Sequence, residues 1–108
     1  MMDALWVYVT VADRKEALKI GRTVVDERLA ACANIPQGHT AIFRWSGRIE
    51  QAEEASLILK TTTGRFEALR QRVRDLSSYN NPCILALPVE TGDHDFLDWI
   101  VEQVRPRE

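Results

Sequence analysis

The segment ALWVYVTV at residues 4–11 constrains the fold most, because apolar side chains occupy both of its alternating positions. β-Branched and aromatic residues favour a strand, in which successive side chains point to opposite faces. The odd positions would supply one face, while Trp6 and Tyr8 would lie on the other. Both faces of the sheet that contains this strand therefore need to be shielded from water.

Helical spacing of apolar residues predicts three helices. Asp13 and Glu16 form a capping-box pattern at the start of the first, which we expect to run to about residue 29. The second begins near Thr63 and does not run past Ser77 and Ser78, with Pro82 fixing its end. The third follows Asp93 and is expected to turn these residues inward: Phe96, Leu97, Ile100, Val101 and Val104.

Extended segments lie between these helices. The apolar run at 30–35, the segment at 40–45 and the alternating segment at 55–61 predict a long β-hairpin, with a Ser-Gly turn signal at 46–47. CILALPV at 83–89 predicts a fourth strand. Gly21, inside the first helix, is interpreted as a point of close packing on the sheet, since glycine there otherwise costs about 1 kcal/mol.

The predicted order is β-α-β-β-α-β followed by a C-terminal helix, in one domain over residues 1–108. Short, right-handed connections turn this order into an α+β ferredoxin-like sandwich with an antiparallel sheet. Two helices would cover one face, and the third would cover only part of the other, where we place Trp6, Tyr8 and Ile84. An apolar face of this size indicates an interface, so we predict an oligomer.

Composition and charge narrow the classes of partner. The formal net charge of −2 supplies no basic field for nucleic acid or an anionic membrane, so neither is an expected partner. No signal peptide is visible, and no apolar run approaches the roughly 20 residues of a membrane span. The two cysteines form no CxxC pair. Reduced thiols in a cytoplasmic protein are the simplest interpretation.

Few residues have the spacing of a reactive site. His39 has no second metal ligand at a usable spacing, and no GxSxG or glycine-rich phosphate loop occurs. Cys32 and Cys83 are expected to be buried structural thiols and are at most weak candidates for metal ligands. No catalytic residue is predicted.

A few polar and aromatic residues are not explained as core. Lys60 ends an apolar strand, and Arg44 and Trp45 precede the hairpin turn. They fit an anion-accepting cleft between subunits, although a solvated lysine and a packed tryptophan are also consistent with the pattern. The candidate ligand-binding set for this cleft is Cys32, Asn34, Arg44, Trp45, Lys60 and Tyr79.

Several longer runs occur in an order that matches one family: DERLAACANI, FRWSGRIE, LILKTT, SYNNP before LALPV, and DFLDWI. In these runs, which span essentially the whole chain, the sequence resembles the CutA-type divalent-cation tolerance proteins. The resemblance implies a ferredoxin-like subunit in a homotrimer similar in assembly to the PII signalling proteins. It also implies a role in tolerance of copper and other divalent ions, without an established catalytic activity.

The chain departs from the family at three positions that bear on metal binding. Ser77 stands where many members have histidine, Cys83 where an acid often follows the proline, and Val9 where some members have cysteine. Tyr79 and Pro82 match the family. Soft and borderline metals prefer imidazole and thiolate ligands. We therefore expect no required cofactor, with a divalent metal ion such as copper, or a small anion, as an optional ligand.

Two alternatives come from other functional classes. A trimer of this kind would also serve as a scaffold for a protein partner. The segment PQGHTAIFR at 36–44 weakly resembles the loop of acylphosphatases, which share the topology. That loop belongs between the first strand and the first helix, whereas here it follows the first helix, so a small acylphosphatase-like enzyme is the weaker alternative.

Overall fold

The computed structural model describes residues 3–107 and contains five β-strands and three α-helices. In chain order these are β1 (Ala4–Val11), α1 (Arg14–Asp26), β2 (Cys32–Asn34), β3 (His39–Trp45), β4 (Arg48–Thr62), α2 (Thr63–Leu76), β5 (Ile84–Pro88) and α3 (His94–Gln103). The sheet has the order β2-β4-β1-β5, and every pairing is antiparallel. β3 pairs with the N-terminal part of β4, residues 48–54. With β2 and β3 taken as one interrupted arm, this is the strand order of the predicted ferredoxin-like sandwich.

The core lies between the sheet and the pair α1 and α2. It forms because alternate residues of β1 and β4 point to one face, where helical residues spaced three and four apart meet them. Each fully buried Val or Leu contributes about 1.5–3 kcal/mol relative to an exposed one. The largest side chains at the centre are Val7, Val9, Val11, Ile20, Val24, Leu57, Leu59, Leu69 and Val73.

Helix α1 begins as predicted and ends earlier than predicted. The Asp13 side chain accepts a hydrogen bond from the backbone N–H of Glu16 at 2.9 Å. At the other end Arg28 has φ 62°, and the N–H of Leu29 donates to the carbonyl of Val24 at 2.9 Å. A left-handed residue reverses the chain, so the helix stops at Asp26 although apolar spacing continues to residue 29.

Gly21 packs against the sheet, as its position in the helix predicts. A Cβ at this residue would lie 3.2 Å from both Ala33 Cβ and Leu57 Cδ2. Two apolar residues of the same helix are not buried: Leu18 is 41% exposed and Val25 is 37% exposed. Both line an open groove with Ala33 and Ile35, at the edge of the apolar stripe, which helical spacing alone does not distinguish from its centre.

The β3–β4 hairpin is longer than predicted. β4 extends from residue 48 and not only over 55–61, and residues 35–38 divide the first arm into β2 and β3. Ser46 and Gly47 both have positive φ, 50° and 78°, as a two-residue hairpin loop requires. The part of the hairpin between residues 42 and 51 extends away from the helices, and its side chains are exposed, Ile42 by 69% and Ile49 by 63%.

The second face of the sheet, which we call the open face, is mostly uncovered. Directly opposite residues of neighbouring strands point to the same face. Ile84 is opposite Val9 and packs on the core, so its predicted place on the second face is wrong. The open face carries the register partners Trp6, Tyr8, Ile58, Lys60, Leu85 and Leu87.

Helix α3 covers one end of the open face. Ile100 and Val104, each 2% exposed, pack with Ala4, which alternates onto the same face as Trp6. Phe96 was expected to face inward but is 46% exposed and stacks beside Trp99, with ring centroids 5.4 Å apart. Phe96 precedes Ile100 by one turn and lies on the same side of the helix, so helical spacing alone does not predict its exposure.

Candidate functional site

Three of the predicted ligand-binding residues meet on the open face. Cys32 of β2 is directly opposite Lys60 of β4, and Lys60 is in turn opposite Trp6 of β1. The Lys60 Nζ donates a hydrogen bond to Asn34 Oδ1, two residues along β2. Cross-strand register therefore brings Cys32, Asn34 and Lys60 together, a juxtaposition that requires the pairing of β2 with β4. We call these three residues the Lys60 cluster.

Arg44 and Trp45 lie far from the Lys60 cluster within one protomer. They end β3, opposite Ile49 and Arg48 at the hairpin tip. At about 3.3 Å per residue, the stretch of β4 from Arg48 to Lys60 spans roughly 40 Å. Trp45 is 56% exposed, so it is not a packed tryptophan in the isolated chain. The two groups can adjoin only if they come from different copies.

Tyr79 lies in a third place, at the base of the hairpin. Its hydroxyl donates to Glu54 Oε2 at 2.9 Å, while Glu54 Oε1 is 3.1 Å from His39 Nε2. The Glu54 side chain is only 11% exposed. The loop that carries Tyr79 is itself ordered by the Tyr79 N–H, which donates to Ser77 Oγ at 3.1 Å. A nearly buried carboxylate thus holds two partners from different elements.

The electrostatics of this group keep Tyr79 in its protonated form. Burial, together with the adjacent Glu54 carboxylate, raises the pKa of Tyr79 to about 12. A phenol with such a pKa remains a hydrogen-bond donor at neutral pH. The sequence did not single out Glu54, and it suggested His39 only as a metal ligand without a partner. The only signal that identifies them is the register of β3 against β4, in which His39 and Glu54 are directly opposite.

The cysteines are both free and half-buried, but they lie at opposite edges of the sheet. Cys32 is in the edge strand β2. Cys83 precedes the other edge strand, β5, and its carbonyl accepts from the Thr10 N–H at 3.2 Å. Three interstrand spacings of about 4.8 Å keep the thiols at least roughly 14 Å apart. Within residues 3–107, no group of three or more His, Cys, Asp or Glu side chains is placed to hold a metal ion.

Comparison with known proteins identifies the family. The profile of the CutA1 divalent ion tolerance proteins matches residues 5–103. This chain belongs to that family. The divalent-cation tolerance protein CutA of Thermus thermophilus is 44% identical over 96 residues, which cover 89% of this chain and 93% of that protein.

Solved CutA structures have the same fold. The structure from Archaeoglobus fulgidus, described as a periplasmic divalent cation tolerance protein, matches with a TM-score of 0.91 and 39% identity, covering 94% of this chain and 99% of that one. CutA from Xylella fastidiosa matches with a TM-score of 0.93 and 33% identity over 95% and 99% of the two chains. The resemblance seen in the sequence is confirmed.

The cellular compartment stays a prediction. The Archaeoglobus fulgidus protein is described as periplasmic, so membership of the CutA1 family does not select the cytoplasm. None of the helices in the described residues combines the length and the apolar character needed to span a membrane.

Proposed function

We propose that this CutA1 family chain works as a non-enzymatic homotrimer in the response to divalent metal ions, copper among them, with an assembly like that of the PII signalling proteins. The observation that carries this proposal is the open face. Leu85 and Leu87 are 60% and 49% exposed there, beside the stacked rings of Trp6 and Tyr8. An apolar sheet face left uncovered by its own helices favours burial against other copies.

Assembly would also explain the separation of the predicted ligand-binding residues. In a closed assembly, the hairpin of one copy would bring Arg44 and Trp45 to the Lys60 cluster of a neighbour. The resulting inter-subunit cleft would offer two cations for a small anion and the Cys32 thiol for a soft metal ion. Among the described residues of one protomer, no three His, Cys, Asp or Glu side chains are placed to hold one metal ion, so a tightly bound ion would take ligands from more than one copy.

The non-enzymatic role is favoured over an acylphosphatase-like activity by the position of the loop at residues 36–38. It connects β2 to β3, whereas β1 is joined to α1 by the short segment 12–13. The scaffold alternative has its own support in the hairpin tip, where Phe43 and Ile49 are 40% and 63% exposed. Apolar side chains presented on a protruding hairpin suit a protein partner.

Light scattering of purified protein tests the assembly. The expected mass is three times the 12.3 kDa of one chain. Leu85→Asp should reduce it to the monomer mass, since a carboxylate would be buried without a partner on the open face. Leu18→Asp is the matched control, because Leu18 is also exposed but lies on α1. A monomeric wild type, or equal dissociation by both variants, would refute the proposal.

A further inference from the structure

Arg28 occupies a backbone position that normally favours glycine. It follows the C-cap of α1 and has φ 62°, in the left-handed region. Non-glycine residues there cost roughly 1 kcal/mol or more, which is why glycine predominates immediately after helices. A residue held in an unfavourable backbone conformation is a reason to look for a role of its side chain.

The contacts of Arg28 join three helix ends. Its guanidinium Nη1 donates to the carbonyl of Gln103, the last residue of α3, at 3.2 Å. Its own carbonyl accepts from Arg65 Nε, in the first turn of α2, at 3.4 Å. The side chain is half-buried. The Arg28 guanidinium is therefore positioned by the fold, with most of its N–H donors still available.

A cleft of about 210 Å³ lies beside this guanidinium. Its polar lining consists of Asp26, Arg28, Gln103 and Arg107. Within residues 3–107 neither of these arginines forms an ion pair, whereas the neighbouring Arg105 pairs with Glu102 at 3.1 Å. Two cations and one carboxylate leave a local positive charge on a chain whose net charge is −2.

We propose that this cleft binds a small oxyanion, such as a phosphate or carboxylate group, between Arg28 and Arg107. The planar guanidinium fork matches the two oxygens of such a group and binds it through paired hydrogen bonds. The Gln103 amide supplies a further donor. The Asp26 carboxylate can accept a hydrogen bond from a protonated oxygen of the anion, so hydrogen phosphate suits the lining. The cleft adjoins the end of the open face that α3 covers, because Ala31 lines the cleft and its N–H donates to the Lys60 carbonyl at 2.7 Å. Its polar lining shares no residue with the Lys60 cluster.

Calorimetric titration with inorganic phosphate tests the site, with malonate as a carboxylate probe and sodium chloride at matched ionic strength. Arg107→Gln should weaken phosphate binding about tenfold, since one charge-assisted hydrogen-bonding partner is lost. Arg107 lies beyond the end of α3, so the variant is expected to fold. Arg105→Gln is the matched control and should bind as the wild type does. Malonate that binds to the wild type and more weakly to Arg107→Gln would show that carboxylates are ligands too.

The position of binding is checked by amide chemical shifts. Phosphate should give its largest shifts at residues 26–30 and 103–107, with smaller shifts at Ala31, whose N–H donates to the Lys60 carbonyl. No binding to the wild type, equal affinity in Arg107→Gln and Arg105→Gln, an equal effect of chloride, or shifts centred on Lys60 would each overturn the inference. Failure here would leave the assembly proposal unaffected, because that proposal is read from the mass.

Discussion

The hydroxyl of Tyr79 donates a hydrogen bond of 2.9 Å to Oε2 of Glu54 and so joins the loop after α2 to strand β4. The other oxygen of the same carboxylate lies 3.1 Å from His39 Nε2 on β3. Glu54 therefore fixes the base of the hairpin from two sides. The direction in which the hairpin projects depends on a contact between residues that are far apart in the sequence.

Tyr79→Phe should lower the free energy of unfolding by about 1–2 kcal/mol, because it leaves a nearly buried carboxylate with one partner fewer. Urea denaturation of Tyr79→Phe, Glu54→Ala and the double variant should give a coupling energy of about 1 kcal/mol. The exposed pair Thr40 and Glu53, 2.6 Å apart, is the control and should show almost no coupling. Additive losses at Tyr79 and Glu54 would contradict this account.

The phenol of Tyr79 should ionise late. Its pKa is raised from the ordinary 10.0 to about 12, chiefly by burial and then by the Glu54 carboxylate. Between these two values the unfolded chain releases the proton and the folded chain keeps it. The stability that the protonated phenol contributes is therefore fully present below about pH 10 and is lost as the pH rises through about 12.

Tyrosinate absorbance, compared between wild type and Tyr79→Phe, isolates this ionisation. The difference should rise near pH 12, with circular dichroism recorded at each pH to verify that the protein remains folded. A difference that already rises near pH 10 in folded protein would show that burial and Glu54 do not raise the pKa of Tyr79.

Gly21→Ala should destabilise the protein by about 1 kcal/mol. Alanine is the better helix former, but its methyl group would lie 3.2 Å from two side-chain atoms, one of them on the fully buried Leu57. Gly92→Ala is the control, because a Cβ there would meet Leu97 at the ordinary distance of 3.4 Å. Thermal denaturation should lower the Tm of the first variant only, and a stabilised Gly21→Ala would contradict close packing of α1 on the sheet.

Copper titrated under reducing conditions should bind weakly or without a fixed stoichiometry. Ser77 stands where the resemblance to the family implies a histidine, and Cys32 and Cys83 lie at opposite edges of one sheet. Calorimetry on wild type, Cys32→Ser and Cys83→Ser measures the affinity. A tight stoichiometric site that is lost in Cys32→Ser or in Cys83→Ser would contradict this prediction and show that the substituted thiol binds the ion. Loss in both variants would show that the two thiols meet in the assembly.

Local sequence patterns determined the elements and much of their order. Alternation and helical spacing act over a few residues, so β1, the cap at Asp13, the Ser-Gly turn and α2 agree with the structure. The long-range pattern of several runs also identified the family. Each of these signals is contained in a short segment, or in several short segments in a fixed order. They can therefore be read from the sequence without knowing any tertiary contact.

Tertiary structure decided what local periodicity leaves open. The end of α1 depends on the left-handed Arg28, and the face to which Ile84 points depends on its pairing with Val9. Strand register likewise selected which candidate residues adjoin, uniting Cys32 with Lys60 and leaving Trp45 roughly 40 Å away. A shift of the strand register by one residue moves every side chain of the strand to the opposite face of the sheet. The register is fixed by the packing of the whole sheet, which no single segment of sequence determines.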